Sequence, residues 1–178
     1  MNERTLLDRC RRGEQAAWRE LFERHAAAVY RWSRFFGIDA AGAEELTQEV
    51  FVTAFRHIDA CGSTLQIAPW LFQIARRKAA NARRLGWFRR IVRRGAGDGP
   101  LERVPADGAA SIGGIALSRD LEKVLRRMPL KLVEVLLLHD LEGRSRSEIA
   151  EVLGLAEGTV AGRLAGARAL FAGLWEAE

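Results

Sequence analysis

SRSEIAEVLGLAEGTVAGRLAGARALFAGLW, residues 145–175, decides how this chain is built. Ser145 and Glu148 have the spacing of a capping box, in which each side chain satisfies the other's exposed backbone amide. Ile149, Ala150 and Leu153 follow on a short helical pattern that stops at Gly154. From about Gly158 to Trp175, Val160, Leu164, Ala167, Phe171 and Leu174 recur at the period of one buried helix face. A short helix, a glycine turn and a longer helix match a helix-turn-helix. In that motif the first helix braces across a DNA backbone and the second enters the major groove. Small Ala150 permits the close crossing. The same spacing also suits a helical hairpin that packs on something else.

Upstream, Leu117 to Arg127 reads as one helix, and Pro129 starts another that runs to about Leu141 before Gly143 breaks the chain. Before these lies a composition shift: Gly95, Gly97, Gly99, Gly108, Gly113 and Gly114, with Pro100 and Pro105. Such a stretch has little to bury and a high ordering entropy, so it reads as a flexible linker. A short helix passes through Glu3 to Leu7 and stops near Gly13. A long one carries Trp18, Leu21, Phe22, His25, Val29, Trp32 and Phe36 on one stripe and ends at Gly37. The third, about Ala43 to His57, buries Leu46, Val50 and Ala54 with help from Phe51 and Phe55, leaving Glu45, Gln48, Glu49, Val52 and Arg56 opposite. Pro69 suits the first turn of a fourth, with Trp70, Leu71 and Ile74. Strand alternation and hairpin turns are missing. The expected fold is all-α: two small helical domains, 1–94 and 117–178, joined by a flexible Gly/Pro-containing linker, 95–116, the second domain a helix-turn-helix.

Composition narrows the function classes. Of 178 residues, 48% are hydrophobic and 29% charged, which excludes wholesale disorder. The net charge of +5 and a pI near 10.0 favour a polyanionic partner, nucleic acid or an acidic membrane surface. Cys10 and Cys61 form no disulfide framework and no CxxC site. Met1-Asn2-Glu3-Arg4 leads straight into a charged amphipathic pattern, and no apolar run is long enough to span a bilayer, so a cytoplasmic protein without membrane contact of its own is expected. His25, His57 and His139 fall on separate helices, with no nucleophile–base grouping and no phosphate-binding glycine loop. His25 reads as a core residue. Neither an enzyme nor a metal or cofactor site is expected.

One more pattern points to nucleic acid. Arg76-Arg77-Lys78, Arg83-Arg84, Arg89-Arg90 and Arg93-Arg94 follow one another with Trp87 and Phe88 between them. Cations attract phosphates, and aromatic faces stack unpaired bases. The bland alternative is a solvated helix end running into a linker.

Glu44-Glu45-Leu46-Thr47-Gln48-Glu49-Val50-Phe51 and Trp70-Leu71-Phe72-Gln73-Ile74-Ala75-Arg76 resemble the first domain of the extracytoplasmic-function sigma factors of bacterial RNA polymerase. Met128-Pro129, Leu136-Leu137-Leu138, Leu141-Glu142-Gly143, Glu148-Ile149-Ala150, Leu153-Gly154, Gly158-Thr159-Val160, Arg163-Leu164 and Ala167-Arg168 resemble the second. Each fragment is weak, but the ordered set spans nearly the whole chain outside the linker.

The resemblance implies a transcription-initiation subunit that binds core polymerase at the largest-subunit clamp and the flap region. Outward-facing Glu45, Gln48, Glu49 and Val52 are the implied clamp contacts. It implies contact with the −10 element through the loop from Asp59 to Ala68 and the next helix, where a base is flipped and the displaced strand held. The implied residues are Trp70, Arg76, Arg77, Lys78, Asn81, Arg83 and Arg84. Arg77 and Asn81 depart from the family pattern, as does Leu65-Gln66-Ile67 in the loop, which leaves the preferred base open.

For the −35 element it implies Ser147, Thr159, Ala161, Gly162, Arg163, Ala165, Gly166 and Arg168. Basic, polar or aromatic residues are usual where Ala161, Gly162, Ala165 and Gly166 stand, so reading there is expected to be weak, or by shape and methyl contact. Arg163 and Arg168 could hold phosphates, which carry no sequence information. An anti-sigma partner wedged between the domains is also implied. Two other readings stay open: an autonomous helix-turn-helix regulator, and a degenerate decoy that binds polymerase or an anti-sigma factor without reading promoters.

Overall fold

A computed structural model describes residues 3–62, 66–95 and 118–177, except for the side chains of 87–95. Every regular element among them is helical. Helices α1 (Glu3–Arg11), α2 (Gln15–Phe35), α3 (Ala40–Arg56) and α4 (Ile67–Gly95) form the N-terminal unit, with a short 3-10 turn at Ile58–Ala60. Helices α5 (Arg119–Arg127), α6 (Leu130–Leu136), α7 (Arg146–Leu153) and α8 (Glu157–Trp175) form the C-terminal unit. A π-helical turn, Leu137–Leu141, extends α6. The expected linker lies outside the described residues apart from Gly95, which closes α4.

Aromatic rings join the first unit. Trp18 meets Phe55 with centroids 5.1 Å apart, Phe22 meets Phe51 at 4.8 Å, and Phe72 takes Trp32 edge-on at 5.2 Å and Phe36 at 5.7 Å. Such tilted and edge-on pairs avoid face-to-face quadrupole repulsion and add about 1 kcal/mol each beyond burial. They fasten the α2 stripe to α3 and α4. Leu46, Val50 and Ala54 are buried as expected, but Phe55 is 61% exposed. Its ring meets Trp18 of α2 yet stays largely open, so it belongs to the surface.

Boundaries move where a cap decides them. Asp39 accepts from the Gly42 amide, so α3 starts at Ala40 rather than Ala43. Ser118 accepts from Leu121 N–H and caps α5 ahead of Arg119, while Leu117, where this helix was expected to begin, lies outside the described residues. The fourth helix begins at Ile67, which is buried, so the expected loop to Ala68 is shorter by two residues; residues 63–65 lie outside the described ones.

In the C-terminal unit the capping box is formed on both sides, Ser145 to the Glu148 amide and Glu148 to the Ser145 amide. Gly154 turns the chain with φ +65°, a left-handed conformation that costs glycine nothing. Val160, Leu164 and Ala167 on α8 are buried against α6 and α7.

The two units touch. Their buried apolar residues form one continuous cluster, and α2 packs on α5 while α4 packs on α7. Gly37, with φ +79°, lets the end of α2 approach α5 closely: a Cβ there would stand 2.9 Å from Arg126 Cγ and 3.3 Å from its Cα. Ion pairs surround this contact. Arg34 meets Glu122, Arg31 meets Glu142 at 3.0 Å, and Trp32 Nε1 donates to the same Glu142 carboxylate at 3.1 Å. Gln73 donates to the Val152 carbonyl.

Candidate nucleic-acid and polymerase interfaces

On α3, the cap at Asp39 sets a register that turns Glu45, Gln48, Glu49, Val52 and Arg56 outward, and all five are exposed. Val52, 49% exposed, adds an apolar spot beside Phe55. The face therefore mixes carboxylates, an amide and two apolar side chains. Glu49 is also held by Lys78 of α4 at 2.9 Å, so this face and the basic helix share an ion pair.

Helix α4 distributes its cations on several sides. Trp70, only 8% exposed, packs in the core with Leu71 and Phe72, leaving little ring for a base to stack on. Arg77, Asn81 and Arg84 are exposed. Arg76 and Arg83 turn toward the C-terminal unit instead. Arg83 donates to the backbone carbonyls of Arg126 at 2.9 Å and Met128 at 2.6 Å. Arg76 grips Glu134 with two nitrogens, Nε and Nη2, the latter 3.3 Å from Oε1.

Helix α8 presents Thr159, Gly162, Ala165 and Gly166 outward, with Ala161 partly covered and Ser147 exposed at the head of α7. Both of its arginines point back into their own unit. Arg163 reaches Glu134 at 3.2 Å, and Arg168 pairs with Asp140 and lies 3.3 Å from His139. The Arg168 hydrogen bond holds the Asp140 carboxyl below the usual carboxylate range, with His139 adding to it. Ser145, donating from its hydroxyl, does the same for Glu148. Arg163 and Arg168, expected as phosphate contacts, are thus each paired with a carboxylate of their own unit.

Glu134 was not among the expected site residues. It sits in Leu132-Val133-Glu134-Val135-Leu136, a lone carboxylate in an apolar run, and it is fully buried at 0% exposure. A charge so placed needs partners of opposite sign, and that was the available signal.

Burial pushes the Cys10 thiol up to about 11 and raises Cys61 as well, and both are unpaired thiols. Burial lowers His25. Among the described residues no three His, Cys, Asp or Glu side chains converge on a metal position, and no helix is long and apolar enough to cross a membrane.

Comparison with known proteins agrees with this geometry. Residues 21–89 match the family description Sigma-70 region 2, and residues 118–170 match Sigma-70, region 4. The chain is 33% identical over 153 residues to the ECF RNA polymerase sigma factor SigL of Mycobacterium tuberculosis, covering 85% of this chain and 84% of that protein. It is 29% identical to the RNA polymerase sigma factor NccH of Alcaligenes xylosoxydans xylosoxydans, covering 97% and 94%. The solved structure of CnrH in complex with the cytosolic domain of CnrY superposes with a TM-score of 0.69 at 26% identity, covering 99% and 98%. The chain belongs to the ECF sigma factors, the subunits that bind core RNA polymerase and direct it to promoter DNA.

Proposed function

We propose that this sigma factor grips core polymerase with the outer face of α3, through Glu45, Gln48, Glu49 and Val52. In this reading α4 opens and holds the −10 element with Arg76, Arg77, Lys78, Asn81, Arg83 and Arg84. Residues 1–94 and 117–178 act as separate domains on the 95–116 tether. The chain works by binding, without catalytic chemistry, in the cytoplasm beside its polymerase. One observation carries the polymerase assignment: Val52 and Phe55 lie exposed beside a polar row, and an apolar spot rimmed by charge is what a docking surface needs.

The −35 element is met differently. Gly162, Ala165 and Gly166 give α8 a side-chain-poor outer face, suited to close approach of its backbone to a groove of fitting shape. The same bareness favours a second reading, a polymerase-binding decoy that supports no transcription. Run-off transcription with purified core polymerase on the gene's own upstream region decides between them. A sigma factor yields a discrete transcript, which Gln48→Ala with Glu49→Ala diminishes along with polymerase association. A decoy yields none, yet still competes for polymerase.

By analogy with CnrH, whose solved complex includes the cytosolic domain of CnrY, an anti-sigma partner is proposed for this chain too.

A further inference from the structure

Helix α1 ends before residue 21, where the match to Sigma-70 region 2 begins, yet it holds both ends of the segment implied to meet the −10 element. At the entry, Arg11 Nη2 donates to the Cys61 carbonyl, while Nη1 of the same guanidinium is fixed 3.1 Å from Asp8 Oδ1, one turn back. At the exit, Glu3 accepts the Ile67 amide at 3.4 Å. Ile67 opens α4, where the first amides lack helical acceptors and the helix dipole is positive, so a carboxylate suits that place. The two anchored residues are themselves buried, Cys61 at 0% exposure and Ile67 at 1%.

Helix α1 is firmly mounted on α2. Leu6, Leu7 and Cys10 are buried, Trp18 Nε1 donates to the Cys10 carbonyl at 3.1 Å, and Arg9 reaches Glu14 at 2.7 Å and Glu20 at 3.5 Å. These ties dock α1 without help from Glu3 or Arg11, which stand partly covered at its two ends. The two anchors lie about 12 Å apart along the axis of this nine-residue helix. The chain from Cys61 to Ile67 can reach roughly 20 Å, so connectivity alone does not fix the separation of those ends.

We propose that α1 positions the −10 segment: Arg11 and Glu3 hold its two ends at the spacing at which a flipped base is captured, and both are positioning residues for promoter opening. The inference rests on the implied contact of Asp59 to Ala68 with the −10 element. Fixed ends remove conformations that the segment would otherwise sample, an entropy that base capture then does not have to overcome. Losing either anchor lowers the fraction of chains ready to receive the base, and capture falls by that fraction. Docking on polymerase is assigned to the outer face of α3, of which neither residue is part.

The test uses the full chain assembled with core polymerase on the gene's own upstream region. 2-Aminopurine is placed in turn at each nontemplate position of the −10 element, and its fluorescence rises when a base leaves the stack. Polymerase association is followed in parallel by anisotropy of the fluorescein-labelled sigma factor. Arg11→Met and Glu3→Met keep the bulk and remove the anchor. Each is expected to lower the fluorescence rise at the responding position at least about threefold, with polymerase affinity unchanged. Arg11→Lys keeps a donor and Glu3→Gln keeps an acceptor, and both are expected to restore most of the rise.

A native rise in either Arg11→Met or Glu3→Met overturns the proposal. A parallel loss of polymerase affinity does so too, because it would make α1 a general prop of its unit. Failure of Arg11→Lys and Glu3→Gln to restore the rise has the same consequence. Leu65→Ala with Gln66→Ala, in the otherwise native chain, tests the underlying reading. If that pair leaves the rise untouched at every position, the segment does not capture the base, and the positioning role falls with it. If the pair lowers the rise while the Arg11 and Glu3 substitutions do not, anchoring alone is wrong.

Discussion

Helices α4 and α8 are the two surfaces offered to DNA, and they solve the problem in opposite ways. Helix α4 is crowded with cations on several sides, whereas α8 has bare glycine and alanine outward and two arginines paired with carboxylates of their own unit. A helix with exposed Arg77 and Arg84 binds any phosphate track, strongly and with little discrimination. A bare helix adds little electrostatic attraction, and what it gains depends on how closely its backbone fits a groove. The contrast teaches that affinity and fit can be divided between the two ends of one small protein. Neither helix then needs to be a strong reader alone.

The largest expected effect removes α8 from the comparison altogether. Leu164, on the buried stripe of α8, fills the small core of the C-terminal unit. Leu164→Ala should cost about 3 kcal/mol by lost transfer energy and cavity formation. So small a unit has little margin. Urea unfolding followed by circular dichroism should show a transition moved to lower denaturant or split in two, while α4-dependent binding to single-stranded DNA persists. A single transition at the native midpoint would mean that α8 is not held by this stripe.

Next in size is the salt response. Arg77→Ala and Arg84→Ala should each lower the slope of log affinity against log salt by roughly 0.7 on single strands, and weaken binding about equally across sequences. Titrations at several salt concentrations measure this directly. A loss confined to one sequence would instead make the arginine a base reader and would erase the division of labour.

How much of this was legible beforehand follows from distance along the chain. Ser145, Glu148, Gly143 and Gly154 announced their turn correctly because caps and left-handed glycines act within four residues. The α3 face of Glu45, Gln48, Glu49 and Val52 followed from helical period alone. Phe55 was misread because period places a side chain on a stripe but does not say where the neighbouring helix ends. Phe72 takes its place from Trp32 and Phe36, partners on a distant stretch of chain that local pattern does not reveal. The carboxylate shared by Arg76 and Arg163 was invisible, since its partners stand 58 and 29 residues away. Only the anomaly of a glutamate within an apolar run hinted at it.

A smaller effect sharpens the reading of α8. Gly162 and Gly166 face open space, with nothing within 4 Å of a Cβ. Gly162→Ala and Gly166→Ala should each stabilise the helix by about 0.8–1 kcal/mol, raising the thermal midpoint by a few degrees. If the bare face works by close approach, −35 binding in the polymerase complex should fall at the same time, because the added methyl groups hold the backbone off the groove. Stability and binding rising together would point to a helix that was merely weakened. Binding unmoved by either change would favour the decoy.

The smallest effect concerns pH and lies on α2, in the N-terminal unit. His25 is partly covered on the α2 stripe, and burial lowers it below its ordinary value near 6.5. The folded chain therefore takes up this proton less readily than the unfolded chain. Stability from the neutral ring is fully present above the ordinary value and is lost as pH falls below it toward the lowered one. Asp140 and Glu148, held below the usual carboxylate range, titrate well beneath this window and do not obscure it. Urea midpoints measured from about pH 7.5 to about pH 5.5 should decline slightly for the native chain, and His25→Gln should flatten that decline. A decline that survives the substitution unchanged would assign the proton to another group and leave His25 a purely packed side chain.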